Sequence, residues 1–140
     1  MLSPGSILES ALYCSDLDAA QSFYETVLNL PLISRLGQRH AFFRLERGVL
    51  LLFNPDETCQ PTQNTALPVP PHGAHGPGHL CFAATRIQIE AWRDRLTTHR
   101  IPIEAEFDWP GGARSLYFRD PAGNSLEFAE PRLWGLDTAP

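Results

Sequence analysis

The sequence predicts an α+β protein built from two copies of one β-α-β-β-β module, and three observations predict it. A strand leading into a helix occurs twice, as ILESALYCSDLDAAQSFY in the first half and GHLCFAATRIQIEAW in the second. Each predicted helix is followed by strand-sized apolar runs separated by turn residues. Aligning Leu51 with Glu127 also brings Pro55 onto Pro131, so the repeat runs to the end of each half.

The first module spans residues 7–55. Ile7 to Cys14 has strand character, and Ser15 is the expected cap of the helix DLDAAQSFYETVLN. Leu17, Ala20, Phe23, Tyr24 and Leu28 fall on one apolar stripe of that helix, and Pro31 stops it. Strands follow at Leu32–Leu36, His40–Leu45 and Val49–Phe53, with Gly48 marking a tight hairpin. The second module, residues 78–131, repeats this order. His79 to Ala84 is a strand, and Thr85 caps the helix RIQIEAWRDRLTTHR. Ile103–Phe107, Ser115–Phe118 and Ser125–Ala129 are strands, the last two joined by the turn RDPAGN. The connector, residues 56–77, belongs to a stretch with six prolines and neither helical nor strand period, and is expected to be extended and partly mobile. In the short tail after Pro131, Trp134 is expected to dock on the body.

At 140 residues the chain has the length of a single domain, residues 1–140, able to bury a core without staples. Its composition, 43% apolar and 19% charged, is that of a globular protein. A net charge of −5 argues against nucleic acid as a partner. The apolar runs are strand-sized, which argues against a membrane span. The opening MLSPGSILES has neither the basic nor the apolar region of a signal peptide, so the expected location is cytoplasmic. Cys14, Cys59 and Cys81 form no CxxC pair and are expected to be reduced thiols.

The chemistry concentrates in Glu9, His79 and Glu127. Glu9 lies seven residues before Asp16, as His79 lies before Arg86, and Glu127 closes the second half where Leu51 stands in the first. Strand alternation puts Glu9 with Ala11 and Tyr13, His79 with Cys81 and Ala83, and Glu127 with Ala129. The larger apolar residues occupy the opposite faces, and small neighbours leave room around the ionisable groups. Singly, each of the three is ordinary strand polarity. If the halves fold alike and pack together, one imidazole and two carboxylates converge on a divalent metal ion, with Mn²⁺, Fe²⁺, Ni²⁺ and Zn²⁺ all suited to that donor set. A carboxylate that leaves the metal can act as a general base, and Glu9 is the candidate. His72 and His75 sit in Pro/Gly context that forbids a helix and read as loop residues, with a lid over the cup as the alternative. His40 begins a strand and has the option of facing the cavity. His99 ends a helix, where a cation suits the dipole.

Over nearly the whole chain outside the connector and tail, the sequence resembles the vicinal oxygen chelate superfamily, which holds glyoxalase I, extradiol dioxygenases, fosfomycin-modifying enzymes, methylmalonyl-CoA epimerase and bleomycin-resistance proteins. The matching text is ALYCSDLDAAQSFYETVLNLPL, GPGHLCFAA and GGARSLYFRDPAGNSLEFAEP, with the patterns FY-x₃-L-x-L and DP-x-GN-x-x-E. The resemblance implies paired modules whose sheets form a cup around one divalent metal. It also implies a homodimer in which Glu9 of one chain meets His79 and Glu127 of the other. Glu9 replaces the commoner His as first ligand, and Leu51 stands at glyoxalase I's fourth ligand, which argues against that activity. Extradiol dioxygenases take two His and one carboxylate, the reverse of this set. Ser115 and Tyr117 match the fosfomycin group, which makes Tyr117 a candidate catalytic residue beside Glu9, but Ala11 replaces that group's threonine. The implied function is that of a metal-dependent lyase, isomerase or dioxygenase acting on a small oxygenated molecule. The alternative is a metal-free dimeric binding protein of the bleomycin-resistance type.

Overall fold

The structure, a computed structural model, describes residues 1–136. In chain order its elements are β1 (Glu9–Tyr13), α1 (Leu17–Thr26), β2 (Leu32–Leu36), β3 (His40–Leu45), β4 (Gly48–Phe53), α2 (Pro55–Thr58), β5 (His79–Ala83), α3 (Arg86–Thr98), β6 (Ala105–Asp108), β7 (Arg114–Arg119) and β8 (Ser125–Ala129), with a final 3₁₀ turn at Pro131–Trp134. They form two four-stranded mixed sheets, ordered β1-β4-β3-β2 and β5-β8-β7-β6, so the fold is α+β. The chain divides into two compact units, Met1–Pro77 and a second that begins at Gly78. No helix among the described residues is long and apolar enough to cross a membrane.

In unit 1, β1 runs parallel to β4, while β3 is antiparallel to both β4 and β2. The predicted stripe of α1 is buried, with Tyr24 tilted against Phe43 at 5.6 Å and Phe23 edge-on to Tyr24 at 5.1 Å. Ala41, Phe43, Leu50 and Leu52 complete this core. The helix is capped by Asp16 rather than Ser15: Asp16 Oδ1 accepts the Ala19 N–H at 3.0 Å. An acidic cap answers both the free N–H groups and the positive end of the helix, where a hydroxyl answers only the former.

The connector departs from expectation at both ends. Pro55–Thr58 is a single helical turn started by the Asn54 side chain, which accepts from Asp56 N at 3.1 Å. One turn is too short to show a period, although Asn-Pro-Asp-Glu is a sound helix start. Farther on, His72 N donates to Thr58 O at 2.9 Å, and His75 pairs with Asp56 at 2.9 Å. Gly73 lies so close to α2 that a Cβ there would come within 3.0 Å of the Pro55 carbonyl oxygen. His72 and His75 are therefore anchored residues, because backbone contacts to α2 hold the segment that Pro and Gly alone would leave loose.

Unit 2 repeats the topology, with β5 parallel to β8 and β7 antiparallel to β8 and β6. Thr85 caps α3 in a reciprocal box: its Oγ1 accepts from Gln88 N at 3.1 Å, and Gln88 Oε1 accepts from Thr85 N at 2.8 Å. Ile89 and Leu96 are buried beneath the helix, and Trp92 stacks on Phe128 at 4.6 Å. β6 begins at Ala105 rather than Ile103, although Glu104 N just before it already donates to Tyr117 O at 2.9 Å. Trp134 does not dock: it is 78% exposed, and Arg132 holds the tail instead by donating to Gly112 O at 2.7 Å and to Glu130 Oε2 at 3.2 Å.

A charge network crosses α3, β6 and β7, in which Arg93 and Arg114 both hold Glu106 and Arg114 and Arg86 share Asp108. The hydrogen bond from Arg93 first, with that from Arg114 behind it, outweighs burial and holds the Glu106 carboxyl below the usual range. A depressed carboxyl contributes stability that is full above its unfolded pKa, about 4.3, and is lost as pH falls through the lower folded value. The urea midpoint of the wild type should therefore fall as pH is lowered through this window. Glu106→Gln should flatten that acid slope, and an unchanged slope would show that the network does not stabilise the fold.

Candidate functional site

The register of unit 2 builds one polar row across the sheet. Cys81 of β5 and Tyr117 of β7 both pair with Glu127 of β8, while His79 pairs with Ser125 one alternation along. Glu127, Tyr117, Ser115, Cys81 and His79 therefore share a face, and Leu116, Phe118, Leu126 and Phe128 are buried on the other.

Glu127 is only 5% exposed, and donors surround its carboxylate. Ser115 Oγ donates to Oε2 at 2.6 Å and in turn accepts from Trp109 Nε1–H at 2.8 Å. The Tyr117 hydroxyl and the Cys81 thiol stand close enough to the same carboxylate to feel its charge, while the thiol's own hydrogen bond goes to the Phe82 carbonyl at 3.7 Å. Desolvation, then Glu127's hydrogen bond and charge, push Tyr117 up to about 12 against the opposing bond to Ser115. Desolvation, followed by the charge and hydrogen bond of Glu127, likewise pushes Cys81 up to about 12, although part of that residue faces solvent. Both groups stay protonated at neutral pH and act as donors. Burial of this charge is tolerable because its oxygens are supplied with hydrogen bonds.

His79 supplies the imidazole. Its Nδ1–H donates to the Ser125 carbonyl at 3.0 Å, so in the neutral ring the lone pair lies on Nε2. Nε2 lies 3.3 Å from Glu127 Oε1. Two donors at about 2.1 Å from a common ion stand roughly 3.0–3.4 Å apart in tetrahedral or octahedral cis geometry. The pair thus fits two adjacent ligands of a divalent metal, with Ser125 O and Ser115 Oγ as their outer hydrogen-bond partners. Among the described residues no three His, Cys, Asp or Glu side chains gather closely enough to hold an ion, so what unit 2 presents is a two-ligand half-site.

Glu9 lies in unit 1, exposed at the start of β1. It pairs with Val49 as His79 pairs with Ser125, and Ala11 pairs with Leu51 as Cys81 pairs with Glu127. Glu9 and Leu51 therefore occupy in unit 1 the register positions of His79 and Glu127 in unit 2. His40 is buried and stacks on Phe42 at 4.0 Å. His99 is the C-cap of α3.

Sequence reasoning passed over Trp109, which orients Ser115, and over what the DPAGN turn does for His79. Asp120 Oδ1 accepts from Ala122 N and Asn124 N at 3.0 and 2.9 Å, and Gly123 takes φ +85° to close the turn. Asn124 Oδ1 then accepts from Gly78 N at 2.7 Å, tying the start of β5 to the β7–β8 turn. The motif was visible; its long-range bond was not.

The family model described as Glyoxalase/Bleomycin resistance protein/Dioxygenase superfamily matches residues 6–128. The chain belongs to this superfamily. Among solved structures, a lactoylglutathione lyase from Agrobacterium tumefaciens is 44% identical, with a TM-score of 0.90 over 95% of this chain and 98% of the other. A glyoxalase/bleomycin resistance protein/dioxygenase from Nocardioides is 25% identical, with a TM-score of 0.71 over 93% of this chain and 85% of the other. TioX from Micromonospora sp. ML1, 24% identical over 90% of this chain and 98% of the other with a TM-score of 0.69, shares the fold. No curated protein matches. For this superfamily member the support of the half-site is testable. Asn124→Ala removes a buried partner of Gly78 N and should cost about 1–3 kcal/mol in denaturant unfolding. It should also broaden the His79 imidazole signals in NMR spectra, and sharp, unshifted signals would separate the turn from the site.

Proposed function

We propose that the protein is a divalent-metal-dependent enzyme of the superfamily, acting on a small oxygenated molecule as a lyase, isomerase or dioxygenase. The observation that carries this reading is the buried, donor-surrounded Glu127 carboxylate beside a His79 whose Nε2 lone pair is left bare. Similarity to a lactoylglutathione lyase favours the lyase class. Leu51 in place of a carboxylate argues for three protein ligands, Glu9, His79 and Glu127, with Glu9 supplied by unit 1 of a partner in a homodimer. A bound Mn²⁺, Fe²⁺, Ni²⁺ or Zn²⁺ ion supplies Lewis acidity and open positions for substrate oxygens. Ser115, through Trp109, holds Glu127 in its orientation. Tyr117 keeps its proton and turns it from Glu127 toward a substrate oxygen. Glu9, the most exposed of the carboxylates, takes the proton.

Metal reconstitution followed by elemental analysis tests the reading. His79→Ala and Glu127→Gln should weaken metal binding by more than the roughly 10–100-fold expected of Ser115→Ala, which removes only an outer partner. Glu9→Gln should lose about 10²–10⁴ in turnover. Full turnover with metal retained would remove the base role. A wild type that binds none of the four ions would favour a metal-free binding protein, a reading supported by the apolar Leu51 and Phe42 at the unit 1 positions of Glu127 and Tyr117.

A further inference from the structure

Unit 1 carries a second group of polar side chains that the metal reading leaves unused. Arg39, in the β2–β3 turn, lies over the Phe53 ring at 5.7 Å and donates to His40 Nδ1 at 2.7 Å. His72 returns from the connector to stand edge-on to Phe53 at 4.6 Å, and its Nδ1 shares a 2.6 Å hydrogen bond with the Tyr13 hydroxyl. His40 lies flat on Phe42, and Phe42 meets Phe53 edge-on at 5.4 Å. Tyr13, Phe53 and His40 stand in one row of the sheet, with Phe42 two residues along β3 on the same face.

The partners of the two imidazoles decide what each offers. A guanidinium only donates, so His40 Nδ1 accepts and its proton sits on Nε2. Burial first, then the charge of Arg39, holds the His40 pKa below its ordinary value, so the ring is neutral. Where the Tyr13 hydroxyl donates to Nδ1, His72 presents its N–H at Nε2. The hydrogen bonds of both rings run through Nδ1, and because no side-chain N or O among the described residues is both buried and unpartnered, each Nε2 reaches solvent. Arg39 is half-buried, and no carboxylate of the described residues lies within 4.0 Å of it. A partly desolvated guanidinium bonded to His40, lying over the same Phe53 ring that His72 touches and without a counter-ion among the described residues, is short of an anion.

We propose that Arg39, His40 and His72 form a subsite for the carboxylate of a small organic acid, with Phe42 and Phe53 as the apolar wall for the planar group attached to it. As a statement about the substrate this rests on the enzyme reading; as a binding site it stands in unit 1 without a metal. Inorganic phosphate offers the same charge without the planar body, so it is the competing source of anion.

The test is an NMR titration of the full chain, metal-loaded and chelator-treated, with benzoate, benzamide and inorganic phosphate, following the His40 and His72 imidazole signals. Benzoate should shift both saturably in both forms, and benzamide and phosphate should bind at least about tenfold more weakly. Arg39→Met, which keeps the stem over Phe53, should weaken benzoate at least tenfold. His72→Ala, on an exposed segment, should weaken it as well and covers the case in which Arg39→Met does not fold. Equal binding of benzamide, binding of phosphate as tight as benzoate, or indifference of benzoate to both variants would each overturn the proposal. Metal content of the same samples keeps the two readings apart. Arg39-dependent benzoate binding in a chain that takes up no metal would leave the subsite standing while the enzyme reading falls. Metal uptake with Arg39-independent benzoate binding would do the reverse.

Discussion

A carboxylate on the face of a sheet, almost wholly removed from water, constrains everything around it. An unpaired buried charge costs several kcal/mol, so Glu127 must be met by donors from every neighbouring strand. β7 supplies the Ser115 hydroxyl and sets Tyr117 beside the carboxylate, β5 sets Cys81 against it, and the loop before β7 supplies Trp109 to orient Ser115. Register is the other half of the constraint. A slip of one residue in β8 would drive Glu127 into the layer of Leu116, Phe118 and Leu126 and bring Phe128 out. The Asp120–Asn124 turn pins the β7–β8 register from one end. The bond from Gly78 N to Asn124 carries the same reference across to β5, where His79 begins.

Unit 1 shows that the backbone does not need the acid. Its strands keep the same order and pairing, yet Leu51 and Phe42 stand where unit 2 has Glu127 and Tyr117. An apolar pair fits this place in the sheet without any of the donors that Glu127 demands. Replacing a buried charge by apolar residues is often neutral or stabilising, so the acid in unit 2 is better explained by chemistry than by folding. The same comparison separates what the repeat dictates from what each copy adds. The repeat dictates where side chains point, and the individual residues decide what is bound there.

Much of this was legible because it depends on local pattern. β2, β3 and β8 have the bounds expected of them to the residue, the α1 stripe is the buried one, and the equivalence of Leu51 with Glu127 reappears as identical register in the two sheets. What escaped depends on partners distant in sequence or on the backbone. Ser15 and Asp16 are adjacent cap candidates, and only the side chain that reaches Ala19 N settles between them. α2 is a single turn and has no period to read. The anchoring of His72 and His75 rests on Thr58 O, Asp56 and Tyr13, none of which a Pro/Gly-rich composition announces. Trp134 is a large aromatic left exposed because arginine contacts, rather than burial, hold the tail. The His79–Glu127 pair was anticipated, but not the carbonyl of Ser125 that orients the imidazole, since a backbone acceptor carries no residue type.

That carbonyl points to the rule that distinguishes the two sheet faces. His79 and His40 are the same side chain on strands of the same module type, and the partner of Nδ1 gives them opposite roles. Ser125 O can only accept, so His79 puts its proton on Nδ1 and presents a lone pair at Nε2, which is what a metal ion requires. Arg39 can only donate, so His40 surrenders Nδ1 as an acceptor and presents N–H at Nε2, which is what an anion requires. The surrounding charges agree with each assignment, a carboxylate beside the first ring and a guanidinium beside the second. The atom that meets Nδ1 thus decides whether each imidazole turns a lone pair or an N–H outward.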